Sequence, residues 1–424
     1  MQKKRKNIDH SGALKSDPKP GRGGRRSAGK AAAGDAAAAE KVAVAKEVAD
    51  EEVADAADDI LQREAQSKKE VGKIKVRNAI YPVLIGFAVV GYMFYRDFDP
   101  AVFDDVSLGW STAFWLLMAV LCMFGRDFGY MIRIRVLSGN KLSWRQAFRV
   151  IMLWEFTSAI TPSAVGGTSV AIVYVHKEGI SVGRSSTIVM LTSFLDELYF
   201  IVMFPLIMLI VGPSDLFEIT IQSGAVAKGL MSFVIIGYAL KFLWTALLSY
   251  GLFINPRGFK WLLLKIFKWR PLRRWYRSVN NVGSDIVESS REMRGYGFWF
   301  WFKAAASTFL SWSSRYLVAN ALILAFFAVS DQLLLFARQL VMWIMMLVMP
   351  TPGGSGFAEY IFTTYCRDLI TVPVELQLSA AALITFLWRG VTYYPYLVIG
   401  AVIFPRWIKR NFGKKAKVSG LTKN

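Results

Sequence analysis

Apolar and polar positions alternate along this chain in long blocks. Six blocks, near 79–95, 108–125, 186–212, 228–254, 297–327 and 376–404, run 17 residues or more with few charges. A helix rises ~1.5 Å per residue and the hydrocarbon core of a bilayer is ~30 Å thick, so blocks of this length predict transmembrane helices. Two further apolar blocks, 151–178 and 333–366, are interrupted by proline and paired glycine. No strand pattern is evident. The expected fold class is therefore all-α: a polytopic membrane protein with six transmembrane helices and two broken segments.

The two interruptions resemble each other. One reads WEFTSAITPSAVGGTSVAIVYV from Trp154 and the other WIMMLVMPTPGGSGFAEYIFTTY from Trp343. Each has an apolar half-helix, Thr-Pro, Gly-Gly and a second apolar half-helix, and Pro162 and Pro352 lie 190 positions apart. Loop charge orients them, because cytoplasmic loops carry the Lys/Arg excess. Residues 96–107 hold four acids and one Arg, and 213–227 hold no Lys or Arg, so both face outside. Residues 126–149, 257–294 and 406–424 hold six, ten and seven Lys/Arg, so all three face the cytosol. The segment 151–178 must then enter from the cytosol and return to it, and 333–366 must do the same from outside. This predicts two re-entrant hairpins in an inverted-topology repeat, with repeat one over 79–212 and repeat two over 228–404. Such an organisation is found in transporters.

Composition narrows the class. The 424 residues are 54% hydrophobic and 14% aromatic. The net charge of +20 is concentrated in loops and tails, which argues for membrane orientation and against nucleic-acid binding. Two cysteines give no disulfide framework, and two histidines give no histidine-built metal site, so no metal and no cofactor is expected. Residues 1–78 form a low-complexity arm whose first 30 positions carry ten Lys/Arg, 79–405 the membrane domain and 406–424 a basic tail. Both termini are expected in the cytosol and the protein in the inner membrane. No triad spacing or strand-borne phosphate loop is present, so no catalytic residue is assigned and an enzyme is not expected.

Candidate chemistry gathers at the breaks. Non-helical backbone survives at membrane depth only where protein or a watery cavity covers it. Half-helices starting near Thr168 and Gly356 would aim unpaired N–H groups at the midplane, which favours an anion. Thr168 and Ser169, or Ser355, are the expected caps. Asp196, Glu197, Lys241, Arg315, Glu359 and Arg389 fall within apolar spans, where each costs about 2.5–3.5 kcal/mol unless partnered. Asp196 lies 34 residues after Pro162 and Arg389 37 after Pro352, so both are expected on one central cavity. The candidate substrate-binding set is Thr161, Pro162, Gly166, Gly167, Thr168, Asp196, Arg315, Thr351, Pro352, Gly353, Gly354, Ser355, Gly356, Glu359 and Arg389.

At PTPGGSGFAE (350–359) and LWRGVTYYPYLVIGAVI (387–403), together with the first break, the chain resembles the membrane region of bacterial lysylphosphatidylglycerol synthases, the multiple peptide resistance factors, and their stand-alone flippase-like relatives. The resemblance covers roughly 79–405. It implies a headgroup cavity formed by the hairpins, with Pro162, Gly166, Gly167, Asp196, Pro350, Pro352, Gly353, Gly354, Gly356, Glu359 and Arg389 as the motif positions. The family's soluble aminoacyl-transferase domain has no counterpart, so lysine transfer is not implied. The expected function is translocation of an anionic phospholipid or a polyprenyl-linked lipid. The alternatives are a secondary transporter of a small solute and the lipid-handling component of a lipid-modifying transferase. Expected partners are membrane lipids, a separate lipid-modifying enzyme and a second copy of the chain in a homodimer.

Overall fold

The computed structural model describes residues 99–412 except 105, 107, 162–163, 218–223, 294 and 347–350, with isolated positions between 84 and 95. The arm 1–78, the tail beyond 412 and Pro162 therefore lie outside the described residues. So does the first expected span, 79–95, apart from Leu84, Ala88, Gly91, Tyr92 and Tyr95, which are helical.

The helices are α1 (Trp110–Leu137), α2 (Trp144–Ile160), α3 (Ala164–Lys177), α4 (Val182–Val211), α5 (Pro213–Phe217), α6 (Gly224–Ser249), α7 (Pro256–Phe267), α8 (Tyr276–Met293), α9 (Phe298–Phe326), α10 (Gln332–Met346), α11 (Phe357–Cys366), α12 (Gln377–Thr392) and α13 (Tyr394–Phe412). The described strands, β1 (Ala328–Val329) and β2 (Ile370–Thr371), form one short antiparallel pair. The fold is thus all-α. Among the described residues, five helical stretches are long and apolar enough to cross a membrane: α1, α4, Met231–Ile254 within α6 and the π-helical turn that extends it, α9, and Val374–Phe412.

That last stretch corrects the expectation of one helix over 376–404. Its 39 residues would reach ~58 Å as a straight helix, about twice the hydrocarbon thickness. It breaks at Tyr393 (φ −129°, ψ −56°), where α12 ends and α13 begins. Pro395 explains the break, since it has no N–H to give and its ring would strike the carbonyl four residues back.

Both interruptions fold as helical hairpins. In the first, Ser143 and Gln146 form a capping box that starts α2. α2 stops because Thr161 takes extended geometry (φ −95°, ψ 135°), as a residue before proline does. Arg149 near the start of α2 is bidentate to Glu178 just past α3, at 2.6 and 2.8 Å, so the two arms run antiparallel. α3 begins at Ala164 and not near Thr168, so Gly166 and Gly167 lie inside its first turn and neither makes the bend. Thr168, inside the helix, cannot be its cap.

In the second hairpin the glycines do make the bend. Gly353, Gly354 and Gly356 have φ of 58°, 67° and 87°, a region open mainly to glycine. The expected Ser355 cap is absent. Instead, the Gly356 N–H donates to Glu359 Oε2 at 2.7 Å, closing the first turn of α11. The base is held by the β1–β2 pair and by Arg338, buried between Asp368 Oδ1 at 2.6 Å and the Tyr365 carbonyl at 2.8 Å. The arms of both hairpins have 17, 14, 15 and 10 residues, or about 15–26 Å each, short of a full crossing.

Two expected cytosolic loops are also corrected. α1 runs through to Leu137 and carries Arg126 and Arg133 into the interior, where they are 1% and 4% exposed. Both are neutralised there by carboxylates, which makes burial of the guanidinium tolerable. Residues 257–293 hold two helices, α7 and α8, joined by a 3-10 turn and packed on each other. α1 packs along α9 through small residues. A Cβ on Gly129 would stand 2.3 Å from Ser311 Oγ, and the Ser311 hydroxyl donates to the Arg126 carbonyl at 3.0 Å. Gly125 and Gly129 thus give the close backbone approach that membrane helices use in place of hydrophobic burial.

Candidate functional site

The tips of the two hairpins meet. The Tyr393 hydroxyl, at the α12–α13 break, donates to the Ala159 carbonyl at the end of α2 at 2.9 Å, and Ser355 Oγ donates to the same hydroxyl at 3.4 Å. Beside this junction lies a cavity of about 370 Å³. Both breaks contribute to its wall: Thr161 and Thr168 from the first, Thr351, Gly353 and Gly354 from the second. Aromatic walls come from Tyr130, Trp154, Trp312, Trp343, Trp388, Tyr393 and Tyr396.

The wall is also rich in charge, most of it paired. Arg133 on α1 meets Asp196 on α4 at 2.5 Å, and Trp312 Nε1 donates to the same Asp196 oxygen at 2.6 Å. Lys241 on α6 is bidentate to Glu197 at 2.6 and 2.8 Å. Arg389 on α12 bonds the fully buried Glu359 at 2.8 Å, and its Nη2 reaches the Gly353 carbonyl at 3.2 Å. Each carboxylate has its own cation, as buried charges require.

Two places depart from this pairing. Arg315 on α9 lines the cavity beside the contacting rings of Trp312 and Trp343, its guanidinium 5.5 and 5.0 Å from the ring centres. Among the described residues it is the cavity cation with no carboxylate partner. Buried hydroxyls of Thr192, Tyr316 and Thr351, which line the same cavity, also have no hydrogen-bond partner. The second place is the mirror case. Arg126 bonds both Asp127 and Glu155, so one cation serves two acids.

Of the residues expected from sequence, Thr161, Thr168, Asp196, Arg315, Thr351, Gly353, Gly354 and Arg389 come together on this cavity. Asp196 and Arg389 share it without pairing with each other. Glu359 and Gly356 sit just behind Arg389, forming the turn that holds it, and Ser355 is buried against Tyr393. Pro352 opens the 3-10 turn of the second tip. Gly166 and Gly167 belong to the first turn of α3. Arg126, Tyr130 and Arg133 were missed, because their stretch reads as a basic loop, and Glu155 was missed although it is an acid within the first broken apolar segment. The signal was there: Arg126, Tyr130 and Arg133 recur at i, i+4 and i+7, which is one helix face. Among the described residues no group of three His, Cys, Asp or Glu is placed to hold a metal.

The comparisons agree with this architecture. Residues 79–400 match the family model described as the lysylphosphatidylglycerol synthase TM region. A UPF0104 membrane protein of Archaeoglobus fulgidus is 25% identical over 350 residues, covering 76% of this chain and 94% of the relative. The family match, 79–400, spans both hairpins and all the cavity-lining residues. With its several apolar helices, this chain is a multi-pass membrane protein that belongs to the family of the lysylphosphatidylglycerol synthase transmembrane region.

Proposed function

We propose that the protein is a lipid translocase of the inner membrane, which passes the headgroup of an anionic phospholipid or polyprenyl-linked lipid through the cavity between the hairpin tips. The observation that carries this is Arg315. It is a cavity-lining cation against a pair of indole rings, without a carboxylate, on a cavity whose lining also includes hydroxyls that lack partners. A phosphate oxygen supplies the missing charge and accepts from those hydroxyls; charge-assisted bonds of this kind are worth about 1.5–3 kcal/mol each. Thr161, Thr168, Thr351 and the Gly353–Gly354 backbone would line the headgroup's path, and Arg389, already held by Glu359, would add field without being consumed.

The hairpins would dip into the bilayer from opposite faces, one repeat rocking against the other while both termini stay in the cytosol. Arms of 10 to 17 residues, too short to cross, support this reading. The test is reconstitution in liposomes with labelled lipids of several headgroups. At least one anionic lipid should cross faster with protein, and Arg315→Gln should slow it roughly tenfold or more. No acceleration of any lipid by correctly inserted protein, or an unaffected Arg315→Gln, overturns the proposal. Uptake of a soluble phosphate ester with no lipid movement sends the site to a small-solute transporter instead.

A further inference from the structure

We infer that α7 is an in-plane helix of the lipid–water interface, with Leu262, Ile266 and Trp269 among acyl chains and Arg257, Lys265 and Lys268 among anionic headgroups. Its start sets its course. Asn255 leaves helical geometry (φ −139°, ψ 79°), and its side chain accepts from the Gly258 N–H at 2.8 Å to open α7 at Pro256. Phe259 is buried against Gly251, where an added Cβ would stand 2.7 Å from its ring. Two residues eight apart on one straight helix are separated by ~12 Å along the axis. The contact therefore means that the chain turns between α6 and α7. With 12 residues, or ~18 Å, α7 is also too short to cross a bilayer.

Leu262, Ile266 and Trp269 recur at i, i+4 and i+7, one face of a helix, and all three are exposed, Trp269 at 71%. Trp261 is 62% exposed at the edge of this stripe, with Lys265 Nζ 4.9 Å from its ring. Phe253 and Ile254, the last residues of the preceding span, are exposed as well, so apolar exposure runs on from the span into α7. The other side of α7 is taken. Lys260 donates to Ser284 of α8 at 2.9 Å, and α8 is joined to α4 by Ser289 Oγ donating to Thr187 Oγ1 at 3.1 Å. Ile286 and Met293, on the apolar side of α8, are buried. The stripe of α7 is left open.

Charge names what covers it. Residues 254–284 carry eight Lys/Arg and no Asp or Glu, and Arg257, Lys265, Lys268 and Arg270 are exposed. Exposed Trp and Leu beside Lys and Arg is the composition of helices that lie in a headgroup layer. Long lysine stems let the ammonium reach phosphates while the stripe sits deeper. A second copy of the chain does not fit. A two-fold interface sets one patch against itself, which would bring these cations together with no acid to offset them. An anionic leaflet offers acyl chains and negative headgroups at once. Among the described residues none of α7 lines the cavity, so this surface stands whether or not the protein moves lipid.

The experiment places a fluorophore on Ile266→Cys in the full-length chain, with Cys122 and Cys366 replaced by serine and alanine, in nanodiscs of phosphatidylcholine and phosphatidylglycerol. Ile266, Arg257, Lys265 and Lys268 are exposed, so changing them reaches no core. A nitroxide on the upper acyl chain should quench the fluorophore and aqueous iodide should not, whereas iodide should quench the same fluorophore on Lys141→Cys in the exposed α1–α2 turn. At equal content, a nitroxide carried by phosphatidylglycerol should quench more than one carried by phosphatidylcholine. Arg257→Gln/Lys265→Gln/Lys268→Gln should cut that preference roughly threefold or more. Quenching by iodide alone would put the stripe in water and overturn the inference. Protection from both quenchers would put protein on the stripe and overturn it too. Equal quenching by the two lipids, or a preference that survives the triple variant, would overturn the assignment to anionic lipid. A lipid-quenched fluorophore in protein that translocates no lipid leaves α7 in the interface and refutes only the translocase reading.

Discussion

The Tyr393 hydroxyl donates to the Ala159 carbonyl oxygen at 2.9 Å, and this bond joins the tip of one hairpin to the break that follows the other. Ala159 lies in the last turn of α2, where carbonyls have no intrahelical donor. Tyr393 supplies one, and receives Ser355 in turn. Tyr393→Phe keeps the ring and removes the bond, leaving a buried acceptor and a buried hydroxyl without their partner. Thermal unfolding in detergent should show a loss of about 1–3 kcal/mol. A variant as stable as wild type would mean that the tips are held by packing alone.

Gly353 and Gly390 make a matched pair of substitutions. A Cβ at Gly353 would meet the Tyr393 ring at 2.4 Å, and φ is 58° there. Gly353→Ala therefore adds left-handed strain of about 1–2 kcal/mol to a collision that displaces Tyr393. Gly390 is exposed in α12 with nothing within 4 Å of its Cβ position. Gly390→Ala should stabilise by about 0.5–1 kcal/mol through the unfolded chain and helix propensity. Opposite signs in unfolding, from one chemical change at the glycine whose carbonyl meets Arg389 and at the glycine that follows Arg389 in the chain, would separate strain at the tip from a general intolerance of added bulk.

Arg133 and Asp196 offer a test of charge pairing. Asp196→Asn removes the counterion of an arginine that is 4% exposed, and should cost about 3 kcal/mol, the low end for buried pairs because Asp196 itself is 25% exposed to the cavity. The double variant Arg133→Met/Asp196→Leu should recover most of that stability, since an apolar pair of similar volume needs no desolvated partner. A double variant less stable than Asp196→Asn would assign the pair a positional role that apolar packing cannot replace.

What the sequence revealed and hid follows from the physics of burial. Glu359 and Arg389 were legible because each is a lone charge in an apolar run, and an isolated intramembrane charge demands explanation. Arg126 and Arg133 were hidden because they stand near Arg135, Lys141, Arg145 and Arg149, which do belong to a basic turn, and a window that sums charge cannot separate the two. The proline of the first break was read correctly as a stop for α2, since pre-proline sterics act locally on Thr161. The paired glycines were not: Gly353 bends the chain while Gly166 stays helical, because glycine permits a turn without imposing one. The break at Tyr393 was present in Pro395, but an apolar run across it reads as one helix.

The orientation of the two hairpins yields the last prediction. Lys141 lies exposed in the turn between α1 and α2, and Glu375 lies exposed between β2 and α12. If the hairpins enter from opposite faces, as proposed above, these two positions lie on opposite sides of the membrane. Cys122 and Cys366 must first be replaced, Cys366 by alanine because it is fully buried. On that background, Lys141→Cys should react with a membrane-impermeant maleimide only after cells are opened, and Glu375→Cys should react in intact cells. Neither substitution touches a buried pair, so both proteins should fold. Labelling of both from the same side would place the hairpins in parallel, and the rocking of two mirror-related repeats would then have no structural basis.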